Sequence, residues 1–242
     1  MKTGMIVLVA VAGLAASTQA ALVSSETFTY PNGNLVGNGG WAAHSGAGSV
    51  PVQVSSGAIV LNQGTLTRED VNKAFAPPIG AGTIIYASFE FSNTGGNGNV
   101  YFAHFQQGTT NFRARTYITA ATVVGDYSLG LSNDNTIPAV WGTALTFGTT
   151  YTVVTSYNFD TGESKLWVNP VSFASTSISA PGTASTAIAA FGFRQANPSV
   201  GTSSQTIDNL NVGTDFGDVV IPSPGALALI GLGGLFAGRR RR

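Results

Sequence analysis

Between residues 26 and 212 apolar and polar side chains alternate, and helical spacing is absent. In "TIIYASFEF" (residues 83–91), Ile85, Ala87, Phe89 and Phe91 share one face, while Ile84, Tyr86, Ser88 and Glu90 share the other. The Gly/Asn-rich "SNTGGNG" that follows suits a hairpin, and "NVYFAHFQ" predicts its second strand. "NFRARTYIT" sets Phe112, Ala114 and Ile118 opposite Arg113, Arg115 and Tyr117. "YTVVTSYN", the turn "FDTG" and "ESKLWVN" predict a further hairpin, with Gly162 free to take positive φ. "AIAAFGFRQ" and "QTIDNLNV" add two more strands. Roughly a dozen short strands with turn signals between them, and no fixed repeat, predict an all-β fold: a two-sheet antiparallel sandwich.

The two ends break this pattern. At the N-terminus, Lys2 precedes an apolar stretch over residues 5–16, and the small residues Thr18 and Ala20 follow. That order predicts a secretory signal peptide over residues 1–20, cut between Ala20 and Ala21. At the C-terminus, residues 225–238 are uncharged and Arg239, Arg240, Arg241 and Arg242 close the chain. As a helix this run reaches about 21 Å, short of the ~30 Å hydrocarbon core. Such a span halts in a membrane when the bilayer thins, and the arginines hold it with the body outside. Pro222 and Pro224 keep the preceding segment extended, open to a membrane-embedded protease. The expected organisation is a leader (1–20), a sandwich body (21–218) and a tail (219–242).

"IPSPGALALIGLGGLFAGRRRR" resembles a PEP-CTERM sorting signal, whose order is a proline-flanked motif, an apolar helix and an arginine cluster. Pro222 and Pro224 match the paired prolines, Arg239 to Arg242 match the basic cluster, and Ser223 stands where the family has Glu. The resemblance implies a transient inner-membrane anchor, processing by an exosortase-like transpeptidase after signal peptidase, and delivery to the outer surface or extracellular matrix of a Gram-negative-type bacterium. Within the body, "TYTVVTSYNFDTGESKLWVNP" resembles the hairpin of laminin-G-like and other concanavalin A-like jelly rolls. "ETFTYPNGNLVGNGGW" and "IDNLNVG" resemble the opening and closing segments of exported bacterial relatives. That resemblance implies a jelly-roll sandwich that binds sugars or proteins and only sometimes hydrolyses glycans.

Charge changes the picture of partners. The formal charge is zero, but five of the eleven basic residues lie in the leader and tail. The body keeps six basic residues against eleven acidic ones, a net of −5. A phosphate backbone would be repelled, which excludes a nucleic-acid partner. The absence of cysteine excludes thiol catalysis, disulfides and Cys-based metal sites.

Catalytic patterns are sparse. Glycoside hydrolysis usually takes two carboxylates flanking one bond, and no strand carries a row of them. Glu69 and Asp70 are adjacent, so a strand would point them to opposite faces; Asp160 and Glu163 flank a turn, and Glu90 stands alone in its strand. His44 and His104, the two histidines, lie in no nucleophile or metal motif, and His104 reads as a face residue of a strand. Jelly rolls often pin their first and last strands with one Ca²⁺ on hard oxygen ligands, which makes Glu26 and Asp208 a candidate structural calcium pair. Trp41, Trp141, Trp167 and Tyr157 are candidates for stacking on sugar rings, with Trp167 sharing a face with Lys165. The expectation is an exported, non-catalytic protein of the cell surface or exopolysaccharide matrix that binds extracellular polysaccharide. The alternatives are a glycan-active hydrolase on the same scaffold and a purely structural surface or adhesion protein.

Overall fold

Where apolar residues recur every second position the chain forms strands, and the strands assemble into two antiparallel sheets. The computed structural model describes residues 22–220, apart from 109, 134–137, 185–186 and 196–202. Ala20, Ala21, Pro222, Ser223, Pro224 and Arg239 to Arg242, with the expected apolar tail helix, lie outside the described residues.

The nine-stranded sheet runs in the order β14 (Ile178–Ala180), β13 (Ser164–Val168), β12 (Tyr151–Asn158), β7 (Ile84–Asn93), β16 (Ser203–Gly213), β5 (Ala58–Gln63), β4 (Gln53–Ser55) and β2 (Gly33–Asn34), with β1 (Ser24–Glu26) also on β16. The seven-stranded sheet runs β11 (Ala139–Val140), β10 (Ser128–Ser132), β9 (Asn111–Thr119), β8 (Val100–Gln107), β15 (Ala187–Phe193), β6 (Asp70–Gly80) and β3 (Trp41–Ser45). The predicted β12–β13 hairpin is present, and Gly162 in its turn has φ 75°. The hairpin expected at "SNTGGNG" is not: β7 and β8 belong to different sheets, so this connector crosses from one layer to the other.

The core lies between the layers. Ile85, Ala87, Phe89 and Phe91 of β7 all face it, as their alternation predicts. Phe91 stacks on Phe102 with centroids 4.5 Å apart, and Phe89 meets Phe193 edge-on at 5.8 Å. Each buried phenylalanine contributes about 1.5–3 kcal/mol of transfer free energy, and the offset and edge geometries suit the ring quadrupoles.

β16 is shared between two partners along one edge. β5 pairs with its residues from Ser203 to Ile207, and β1 takes over from Leu210 to Val212. The change occurs at a bulge where Asn209 has φ 51°, an αL conformation that Asn tolerates better than most residues.

After β16 a single helical turn, α1 (Phe216–Val219), folds onto the outer face of the nine-stranded sheet. Asp215 caps it, its side chain accepting from the Gly217 N–H at 2.7 Å. Phe216 and Val219 cover Tyr86, Val154 and Trp167, and the Ser88 hydroxyl donates to the Val219 carbonyl at 2.6 Å. This packing holds α1 against the nine-stranded sheet. Among the described residues no helix is long and apolar enough to cross a membrane.

Candidate functional site

The outer face of the seven-stranded sheet carries an unusual surface of rings and guanidinium groups. Phe102 and Phe105 of β8 turn into the core, which leaves Tyr101 and His104 for the outer side. On β9 the strict alternation fails. Ala114 has φ 47° and the β8–β9 register shifts there, so a bulge changes which side chains face out. Phe112, expected beside Ala114 and Ile118 in the core, instead lies against His104 at 4.2 Å and His44 at 5.9 Å. It joins Arg115 and Tyr117 on the outer face.

His44 on β3 and His104 on β8 are the chain's two histidines. Two strands, β15 and β6, separate them in the sheet, yet their ring centroids are 5.4 Å apart. Gly192 on β15 makes the approach possible. A Cβ there would sit 2.9 Å from His104 Nε2 and 3.0 Å from the Val71 carbonyl oxygen. The imidazole lies across the space that a larger residue would fill. Burial, followed by the charges of His44, Arg115 and Arg194, holds His104 well below the usual histidine range. Both of its ring nitrogens lack a hydrogen-bond partner among the described residues. Burial also lowers His44, with Arg194 adding to the effect against a backbone hydrogen bond at Val71.

Tyr101 is the centre of the patch. The Arg194 Cζ lies 4.3 Å and the Arg115 Cζ 5.3 Å from its ring centroid, within cation–π range. Tyr117 packs 5.7 Å away, and beside the rings Asn72 donates to Gln106 at 2.6 Å. Tyr101, Phe112, His44 and Arg194 are each partly exposed. This face is positive on a body whose net charge is −5.

Asp70 is the carboxylate that reaches this patch among the described residues. Its Oδ2 stands 4.0 Å from Arg194 Nε, and its Oδ1 accepts from the Gln195 N–H at 2.9 Å. Burial pushes the carboxyl up from 3.8 to about 6, against the Gln195 hydrogen bond and the Arg194 charge. A carboxyl raised on folding favours the native state while protonated, so its contribution weakens as pH rises from about 4 to 6. Asp70→Asn keeps an acceptor for Gln195 and removes that titration. The difference in melting temperature between variant and wild type is expected to grow from pH 4 to 6 and then level off. A difference that is flat across this window would show that Asp70 does not titrate there.

The residues that the sequence singled out lie elsewhere. Trp167 does share its face with Lys165, but α1 and Phe173 cover that face and the indole is 1% exposed. Trp41 is 2% exposed, stacked on Phe193 with its Nε1 donating to Glu26 at 3.1 Å. Trp141, 9% exposed, belongs to the main core. Tyr157 is fully buried, its hydroxyl donating to the Thr183 carbonyl at 2.7 Å, so none of the four presents a ring face to a sugar.

The Glu26/Asp208 calcium pair does not fit the structure either. Glu26 turns inward. Its Oε1 accepts from the Phe28 N–H at 3.0 Å, while its Oε2 takes Tyr30 (2.7 Å), Trp41 (3.1 Å) and Lys73 (2.9 Å). Burial raises this carboxyl, but the four hydrogen bonds, led by Lys73, outweigh it and hold the group below 4.5. The Lys73 ammonium already fills the cation's role. Asp208 lies before the bulge and directly opposite the exposed Glu90 on β7, on the outer side of the sheet. The bulge thus sends the two carboxylates to opposite faces. No group of three metal-ligating side chains occurs among the described residues.

No protein-family model matches the chain, and no curated protein matches it. Solved structures do. A sialidase superposes with a TM-score of 0.58 at 12% identity over 92% of this chain, which spans 21% of the sialidase's length. Peanut lectin gives 0.51 at 13% identity over 78% of this chain and 95% of its own. An immunostimulatory antigen and pseudo β-1,3-glucanase of Mycobacterium tuberculosis gives 0.50 at 11% identity over 80% of this chain and 99% of its own. At these identities the likeness establishes the fold: a lectin-like, concanavalin A-like jelly roll.

Proposed function

We propose that this chain is an exported, non-catalytic, carbohydrate-binding protein of the outer cell surface or exopolysaccharide matrix. Signal peptidase removes residues 1–20, the apolar run before the four arginines halts in the inner membrane, and an exosortase-like enzyme removes the tail. The observation that carries the binding role is the partly exposed Tyr101–Phe112–His44 surface with Arg194 beside it, on a jelly roll whose structural neighbours include a lectin, a sialidase and a pseudo β-1,3-glucanase. Aromatic rings meet the C–H faces of sugars, and fixed donors orient their oxygens. A non-catalytic role is favoured because, among the described residues, no second carboxylate joins Asp70 at this patch. The neighbouring Glu69 turns away and accepts from the Gly48 and Val52 N–H groups.

The test is a glycan array probed with protein recovered from its native cell. Binding is expected, and Tyr101→Ala should weaken it by about tenfold or more, the loss typical of a central aromatic anchor. Release of reducing ends would replace this reading with a hydrolase. Mass spectrometry of the same surface-recovered protein should find the body without its four terminal arginines; their retention would refute exosortase-like processing.

A further inference from the structure

We propose that the ligand of the Tyr101 face is an acidic polysaccharide whose carboxylates, as in a polyuronate, bind Arg194. This inference rests on the carbohydrate-binding reading and narrows it.

Three observations carry it. First, two of the body's six basic side chains converge on one ring while acidic residues dominate elsewhere. A guanidinium held over an aromatic ring has lost part of its freedom before a ligand arrives, so less entropy is lost on binding. Second, Arg194 is underused. Its Nε stands 4.0 Å from Asp70, too far for a hydrogen bond, and its terminal nitrogens have no partner among the described residues. Those nitrogens present the planar fork that pairs with a carboxylate through two parallel hydrogen bonds. Third, the fully buried His104 carries an N–H with no acceptor among the described residues. An anionic oxygen would supply one once the Phe112 ring, 4.2 Å from the imidazole, moves aside.

The Arg115 and Arg194 charges that act on His104 favour an anion over a cation beside the two histidines. A uronate meets both halves of the surface. Its pyranose ring offers C–H groups to Phe112 and His44, and its carboxylate lies near the ring plane, within reach of a flat fork. A sulfate can accept from the same fork, so a sulfated glucan is the competing anion against which the carboxylate is ranked.

The full chain is tested by affinity electrophoresis and calorimetry against polygalacturonate, fully methyl-esterified polygalacturonate, dextran sulfate and a neutral glucan. Polygalacturonate is expected to bind about ten- to a hundredfold more tightly than its ester, the range of a charge-assisted hydrogen-bond pair. Arg194→Gln should remove that preference while leaving the melting temperature near wild type, and Arg194→Lys should restore only part of it. Lys165→Gln, on the outer face of the other sheet, should leave it unchanged.

Equal binding of acid and ester, or an Arg194→Gln variant with wild-type preference, overturns the proposal. Preference for dextran sulfate over polygalacturonate overturns the carboxylate assignment. Binding of neutral glucan alone overturns the acidic ligand and leaves the carbohydrate role standing, whereas no binding to any glycan removes both.

Discussion

Trp167→Ala is expected to destabilise the protein by about 3–5 kcal/mol, the range for removing a fully buried tryptophan. The indole is 1% exposed and lies 5.2 Å from the ring of Phe216 and 5.8 Å from Phe173. Its removal takes away the platform on which α1 rests, so Phe216 and Val219 lose their cover as well. Chemical denaturation should show the lower midpoint, and hydrogen exchange should show faster opening of Phe216, Gly217, Asp218 and Val219. Trp167→Phe should cost much less. It keeps a ring against Phe216 and deletes an indole N–H that has no partner among the described residues. A Trp167→Ala protein with the wild-type midpoint would show that α1 does not hold this face.

Glu26→Ala carries the other large effect. One carboxylate takes hydrogen bonds from Phe28, Tyr30, Trp41 and Lys73, and it thereby joins β1, the loop after it, β3 and β6. Truncation strands four donors, one of them charged, at a cost of about 3–5 kcal/mol. Lys73→Met should cost less, because Lys73 is 20% exposed and Glu26 keeps three neutral donors. The Glu26→Leu/Lys73→Met double variant should be more stable than Glu26→Ala, since no unpaired charge remains. The sign with pH is fixed by the lowered carboxyl. The stabilisation is full above the unfolded value near 4.5 and is lost as pH falls through the folded value. Equal stability of Glu26→Ala and wild type at pH 7 would refute the role assigned to this carboxylate.

These residues also show what the sequence could reveal. Alternation identified β7 and its core-facing Ile85, Ala87, Phe89 and Phe91, because period two is a local property of one strand. Three kinds of information were not local. The bulges at Ala114 and Asn209 reverse the alternation, and through them Phe112 reached the outer face and Asp208 turned away from Glu26. The covering of Trp167 depends on α1, which follows it in the chain by nearly fifty residues. The meeting of His44 and His104 depends on strand order and on Gly192. The "FGF" around that glycine was the available signal, since a strand glycine often marks close approach of another group. The run "RARTY", with Arg115 and Tyr117 on alternate positions, was a second one.

The packing of α1 has a consequence for display. The last described residue, Val220, follows a turn seated on the outer side of the nine-stranded sheet, whereas Tyr101 and Arg194 lie on the outer side of the opposite sheet. The Val23 N–H donates to the Val212 carbonyl at 2.7 Å, so the N-terminal entry shares the exit's layer. A body moored through its C-terminal end would therefore rest with that layer toward the mooring. The two sheets and the roughly 10 Å of side chains between them would raise the Tyr101 face clear of the surface, turned toward whatever surrounds the cell.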